Sequence, residues 1–149
     1  MIAARLVLAV ALIFIGASRV EAACTLSATG VAFGTYNVFL TTPDDSTGTI
    51  TFRCGAQDRD ITITISRGSS SAFSPRTLRS GVDILNYNLY RNAGFTEIWG
   101  DASEGTFTYF IRNPPNNQDI VLTVYGRVPP EQDARIGTYS DTVVVTIEY

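Results

Sequence analysis

Three kinds of side chain in this sequence have the type and spacing to do chemistry: clustered carboxylates, a serine run and a pair of cysteines. Asp44-Asp45 and Asp58-Arg59-Asp60 set acids side by side, as a calcium loop or a glycosidase dyad would require. Both clusters sit in turn-like surroundings, where Asp satisfies local backbone donors, and any acidic chain could supply a carboxylate pair. Ser69-Ser70-Ser71 follows Gly68, but a hydroxyl nucleophile needs a base, and the chain contains no His and no Lys. The missing His also removes the side chain most used for proton transfer near neutral pH and the commonest metal ligand. Trp99-Gly100-Asp101, with Phe95 nearby, offers rings on which a ligand could stack, although a lone Trp after a strand more often anchors packing. No catalytic residue, cofactor or metal site is assigned from this inventory, and the chain does not read as an enzyme.

The cysteines depend on compartment, which the first residues address. Arg5 supplies a positive start, residues 6–17 carry no charged or strongly polar side chain, and Val20-Glu21-Ala22 has the small-x-small form of a cleavage site. These features predict a secretory signal peptide over residues 1–22, cleaved after Ala22 or Ala23, and a single domain over 23–149. The apolar run is shorter than the roughly 20 residues that cross a bilayer, so no membrane span is expected once the signal is removed. Glu21 stands where a lipoprotein signal needs an aliphatic residue, which argues against lipidation of Cys24. Cleavage would remove Arg5, Arg19 and Glu21, leaving nine Arg against thirteen acids and a net charge of −4. An acidic balance disfavours nucleic acid as a partner. In an exported chain Cys24 and Cys54 read as a disulfide. Closing that loop is worth roughly 3 to 4 kcal/mol in the chain-entropy model. A thiol pair without His lacks the ligands of a closed zinc site.

The elements that must position these residues are strands. Residues 49–54 and 61–66 alternate polar and apolar side chains and are rich in Ile and Thr. Residues 84–91 carry Leu85, Tyr87 and Leu89 on one face, residues 120–125 continue in the same style, and residues 138–149 place Val143, Val145, Ile147 and Tyr149 on one side. All six prolines fall between these segments, where a missing N–H harms no ladder. No segment has a helical period over ten residues, and there is no internal repeat. With 149 residues, 45% of them hydrophobic, the chain has material for one core. Short alternating strands at this spacing predict an all-β, antiparallel β-sandwich.

Several segments carry a family pattern. Cys24-Thr25-Leu26-Ser27, Val31-Ala32-Phe33-Gly34-Thr35-Tyr36, Ile50-Thr51-Phe52-Arg53-Cys54, Leu85-Asn86-Tyr87-Asn88-Leu89-Tyr90-Arg91, Trp99-Gly100-Asp101, Val124-Tyr125-Gly126-Arg127-Val128-Pro129 and Gly137-Thr138-Tyr139-Ser140-Asp141-Thr142-Val143 follow in order. The succession resembles the spore coat protein U domain family, the building block of archaic, Csu-type chaperone–usher pili. It spans nearly the whole chain after the signal, and its last segment is the most specific.

The resemblance implies an immunoglobulin-like, pilin-type sandwich that lacks its last strand and is completed by one donated from a neighbour. It also implies transit through the Gram-negative periplasm, with a periplasmic pilus chaperone, an outer-membrane usher and other pilin subunits as partners, and a final place in a cell-surface pilus or coat. The physical logic is β-augmentation: main-chain hydrogen bonds to an open edge, with alternate side chains filling an apolar groove. The expected groove residues are Val143, Val145, Ile147 and Tyr149 from the final strand and Val31 and Phe33 from the opening strand. In a complete sandwich the same six would be ordinary core.

Polymerising members of the family carry a donor extension before the first Cys, whereas only Ala23, or Ala22 and Ala23, would precede Cys24 here. The expectation is therefore an acceptor without a strand to donate: a terminal, tip or minor subunit. At a tip, loops 68–79 and 92–105 would display Phe73, Phe95, Ile98 and Trp99 as adhesive groups; the same side chains could instead cover the ends of the sandwich. The alternative class is a free-standing secreted β-sandwich that binds carbohydrate or another small ligand.

Overall fold

Alternation of β-branched apolar and polar side chains builds the long strands of this protein, whose structure is a computed structural model describing residues 24–56 and 59–149. The expected signal peptide, its cleavage site and Asp58 lie outside the described residues. β1 (Thr25–Thr29) is short, and β2 (Asp44–Arg53) buries Ile50 and Phe52. β3 (Asp60–Ile65) buries Ile61, Ile63 and Ile65 and turns Thr62 and Thr64 outward. β4 (Arg76–Ser80) is followed by β5 (Asp83–Tyr90), which buries Leu85, Tyr87 and Leu89. β6 (Tyr109–Arg112), β7 (Ile120–Val128) and β8 (Val145–Glu148) complete the set.

These strands form two antiparallel sheets, one in the order β1-β2-β7-β5-β4 and one in the order β6-β3-β8. The apolar faces of the two sheets make one core around Phe52, Ile63, Tyr87, Leu89, Trp99 and Val128. The protein is thus an all-β sandwich. Cys24, just before β1, is bonded to Cys54, just after β2, and so fastens the outermost strand of the larger sheet at one end.

The final strand is much shorter than the alternation in residues 138–149 predicts. Ser140 exchanges both backbone hydrogen bonds with Arg79 of β4, at 2.9 and 3.0 Å. The chain then crosses to the other sheet, where the Ser66 N–H donates to the Val144 carbonyl (2.9 Å) and the Val144 N–H donates to Ser66 Oγ (2.8 Å). One alternating segment therefore serves the edges of both sheets, and regular pairing starts only at Val145, opposite Ile65.

Candidate functional site: a groove between two unpaired edges

β1 pairs with β2 alone and β8 with β3 alone, so among the described residues each has one edge without a strand neighbour. Between residues 28–31 on one side and 142–145 on the other lies a cavity of about 330 Å³ whose floor is core: Ile50, Ile65, Tyr87, Leu89 and Val124. It continues into a larger concavity of about 840 Å³ between residues 31–39 and 134–141, with Val31, Phe33, Leu78 and Asp141 common to both. Phe39 (89% exposed) and Ile136 (fully exposed) stand on the lining of the larger one. An apolar trough flanked by strand edges has the chemistry to accept an extended chain: ladder groups along its rim and space for alternate side chains.

The walls arise from local sequence. Val143, Val145 and Ile147 are half-buried and pack against the core, while Thr142, Val144, Thr146 and Glu148 face out. Tyr149 is 59% exposed and does not join this inward set. Val31 and Phe33 also pack against the core, but not from the opening strand as the sequence suggests: β1 ends at Thr29, and both residues lie in an irregular segment crossing the inner face of β7. Gly126 makes that crossing feasible, because a Cβ there would come within 2.6 Å of Val31 Cγ1 and 2.7 Å of Phe33 Cζ. Ser46 Oγ donates to the Ala32 carbonyl at 2.7 Å and ties the segment to β2.

Asp141 sits where the two cavities meet and organises the wall. Its Oδ1 accepts the N–H groups of Ser69 and Thr142 (both 2.9 Å), and its Oδ2 accepts the Tyr87 hydroxyl at 2.7 Å. Burial alone would raise its pKa, but these hydrogen bonds hold the carboxyl below the ordinary Asp range. Tyr87 shifts the opposite way, raised by burial first and then by its bond to this carboxylate.

Behind the wall, the buried Arg76 staples the sheets. Its guanidinium donates to the Trp99 carbonyl (2.6 Å), the Ser66 carbonyl (3.0 and 3.1 Å) and Asn88 Oδ1 (2.7 Å), and it lies over the Phe73 ring. Burial lowers its pKa to about 10, which leaves it charged at neutral pH.

A family model for the Spore Coat Protein U domain matches residues 10–146. The chain belongs to the Spore Coat Protein U domain family. Among curated proteins it is 31% identical to Protein U of Myxococcus xanthus over 130 residues, covering 78% of this chain and 70% of that protein. Among solved structures it matches a chain of the CsuC–CsuE chaperone–tip adhesion subunit pre-assembly complex from archaic chaperone–usher Csu pili of Acinetobacter baumannii. The TM-score is 0.62 at 24% identity, over 86% of this chain and 40% of that chain. At that identity the likeness is one of fold, and the chain spans less than half of the matched chain's length.

The loop residues of this Spore Coat Protein U chain divide into two groups. Phe73 and Trp99 are each 1% exposed, which corrects their place among the adhesive groups and agrees with the alternative that they cover the sandwich. Phe73 stacks under Arg76 and Arg67, and the Trp99 indole N–H donates to the Ile63 carbonyl at 3.0 Å, so both close the core. Phe95 and Ile98 are half-buried. Phe95 folds edge-on to Tyr90 and Tyr125 with Arg127 above it at 3.7 Å, a packed cluster and not a free ring. Asp141 and Gly126 were absent from the expected site. Gly126 had a signal, since a glycine inside a strand marks a close approach, whereas two of the three donors that meet at Asp141, Ser69 and Tyr87, come from segments far from it in sequence.

Proposed function

We propose that this protein is an exported structural subunit of a surface pilus or coat, completed by an extended strand that a periplasmic chaperone and then a neighbouring subunit lay into the groove. The groove between the unpaired edges of β1 and β8 carries the reading. An isolated sandwich with an apolar trough of this kind leaves ladder groups and the half-buried wall side chains Val31, Phe33, Val143 and Val145 partly open to water, a state a donated strand relieves. The disulfide fits export into an oxidising compartment, and membership of the family supports the pilus or coat setting. The usher belongs to the same reading.

Within an assembly we place the chain at an end or in a minor position. If the signal is cut after Ala22 or Ala23, at most Ala23 precedes Cys24, which is tied to Cys54, so that cleavage leaves no free strand of about 16 Å, five residues at about 3.3 Å each, ahead of the disulfide to donate. Immunogold labelling along the whole shaft would contradict that position without touching the acceptor role.

The acceptor role is tested by co-expression with a chaperone of this pathway. Val145→Asp should abolish the soluble one-to-one complex, because the charge would be buried unpaired under an incoming strand. Thr146→Asp, on the outward face, should be captured like the parent. Equal capture of the Val145→Asp protein would show that this face is not the acceptor.

A further inference from the structure

A second cleft lies at the other edge of the smaller sheet. β7 pairs with β5 only through Tyr125, Gly126 and Arg127, because β5 ends at Tyr90 and its chain turns away at Arg91. From Ile120 to Val124 the β5-side edge of β7 therefore has no strand beside it among the described residues. Along that edge runs a cleft of about 370 Å³, bounded by Val121, Thr123 and Tyr125 on β7, Tyr109 on β6, and Arg91 with Glu97 from the turn after β5. β6 and β8 are opposite edges of one sheet, so this cleft is separate from the strand-accepting groove.

Its walls are fixed and its polar groups are partly uncommitted. The Tyr109 ring is held edge-on to Phe52 and against Trp99, and the Tyr125 ring is held by Phe95. Arg91 Nε donates to Glu97 Oε2 at 2.6 Å, and Arg91 Nη1 donates to the Thr108 carbonyl at 2.7 Å, so the ion pair is locked to β6's approach and its charges cancel. Glu97 Oε1, Arg91 Nη2 and the hydroxyls of Tyr109, Tyr125 and Thr123 have no hydrogen-bond partner among the described residues. The residues lining the cleft thus bring two immobilised aromatic side chains, Tyr109 from the core side and Tyr125 from the outward face of β7, together with hydroxyl groups, one neutral ion pair and an open peptide edge.

The geometry points to a binding site for a neutral saccharide at this cleft. A pyranose ring has hydroxyls that both donate and accept, together with C–H faces that lie against aromatic rings. A charged ligand would meet the Arg91–Glu97 pair without a net counter-charge. The volume is near the lower end of small-molecule sites, roughly 300 to 1,000 Å³, which suits one sugar unit of a longer glycan. Because the rings and the ion pair are set by packing, little ordering is needed on binding.

Saturation-transfer NMR on the full exported chain in its chaperone complex, with glucose, galactose, mannose and their neutral disaccharides as probes, tests the site. At least one neutral sugar should receive saturation at millimolar concentration. Tyr125→Phe and Tyr109→Phe keep the rings and should weaken that sugar about five- to tenfold each, in line with one lost hydrogen bond. Glu97→Gln supplies a third variant if either Phe substitution alters the thermal midpoint. The proposal is overturned by absence of transfer to every neutral sugar, by equal affinity in all three variants, or by preference for sialic or uronic acids. Displacement of the bound sugar by none but other saccharides supports it, whereas tight binding of an extended apolar peptide along residues 120–124 in place of sugar overturns it.

Discussion

Asp141 collects donors from the loop after β3, from β5 and from its own next residue, and that convergence has a pH signature. Its pKa is depressed in the folded state, so its contribution to stability is present above the ordinary Asp value and is lost as pH falls through the lower folded value. Urea midpoints should hold from neutral pH to about pH 5 and fall below about pH 4, and Asp141→Asn should flatten that limb while losing about 1 kcal/mol at neutral pH. A wild-type acid limb in Asp141→Asn would assign it to other carboxylates. Arg76 makes a different demand, because its fork serves carbonyls of Ser66 and Trp99 that no other donor reaches among the described residues. Arg76→Met should cost about 3 kcal/mol, since buried carbonyls are left without donors. Arg76→Lys should recover less than half of that, because an ammonium cannot reproduce the planar fork. Chemical denaturation of the purified variants measures both, and full rescue by Lys would mean that charge, and not the fork, matters.

At the scale of elements, the alternating segments were legible wherever both neighbours of a strand lie in one sheet. Residues 49–54, 61–66, 84–91 and 120–125 all fall within or around β2, β3, β5 and β7. β4 carries no legible alternation because its first residue is a buried Arg whose partners are main-chain carbonyls elsewhere in the sequence. The final segment read as one long strand because alternation persists through residues 138–144, although the pairing partner changes from Arg79 to Ser66 on the way. Val31 and Phe33 read as strand for a similar reason: their alternation reflects packing over Gly126 and not a ladder. The trough itself was not legible, since inward side chains look the same whether a final strand covers them or not. β1 offers an element-scale test. It is held by β2 on one side and by Cys24–Cys54 at its start, so its order depends on the disulfide more than that of any inner strand. The Cys24→Ala/Cys54→Ala protein should lose roughly 3 to 4 kcal/mol. Hydrogen exchange should also accelerate at residues 25–29 before it does in β7. Uniform acceleration across the sheet would show that the bond acts only on the unfolded chain.

The whole molecule is a sandwich whose sheets leave an apolar seam between β1 and β8, and that seam sets its thermodynamics. β8 runs along the seam with β3 on one side and the trough on the other. A strand entering antiparallel to β8 would add ladder bonds to the smaller sheet and cover Val31, Phe33, Val143 and Val145 together. Such a strand can be supplied in cis: a flexible turn after Tyr149 followed by five residues with apolar side chains at alternate positions reverses direction and reaches back along β8. Tethering raises its effective concentration to about the millimolar range. Against a micromolar intrinsic affinity, an excess of about a thousandfold stabilises the folded state by roughly 4 kcal/mol. For a domain of this size that corresponds to a rise of about 15 °C in Tm. Differential scanning calorimetry should show this rise for the tethered strand, and little or none for a tethered strand with Asp at the alternate positions or for the apolar strand on a Val145→Asp background. The apolar strand should also block chaperone capture, because both occupy one seam. Equal Tm values for the apolar and Asp-bearing strands would mean that the seam between β1 and β8 is already closed in the free protein and that a partner must bind elsewhere.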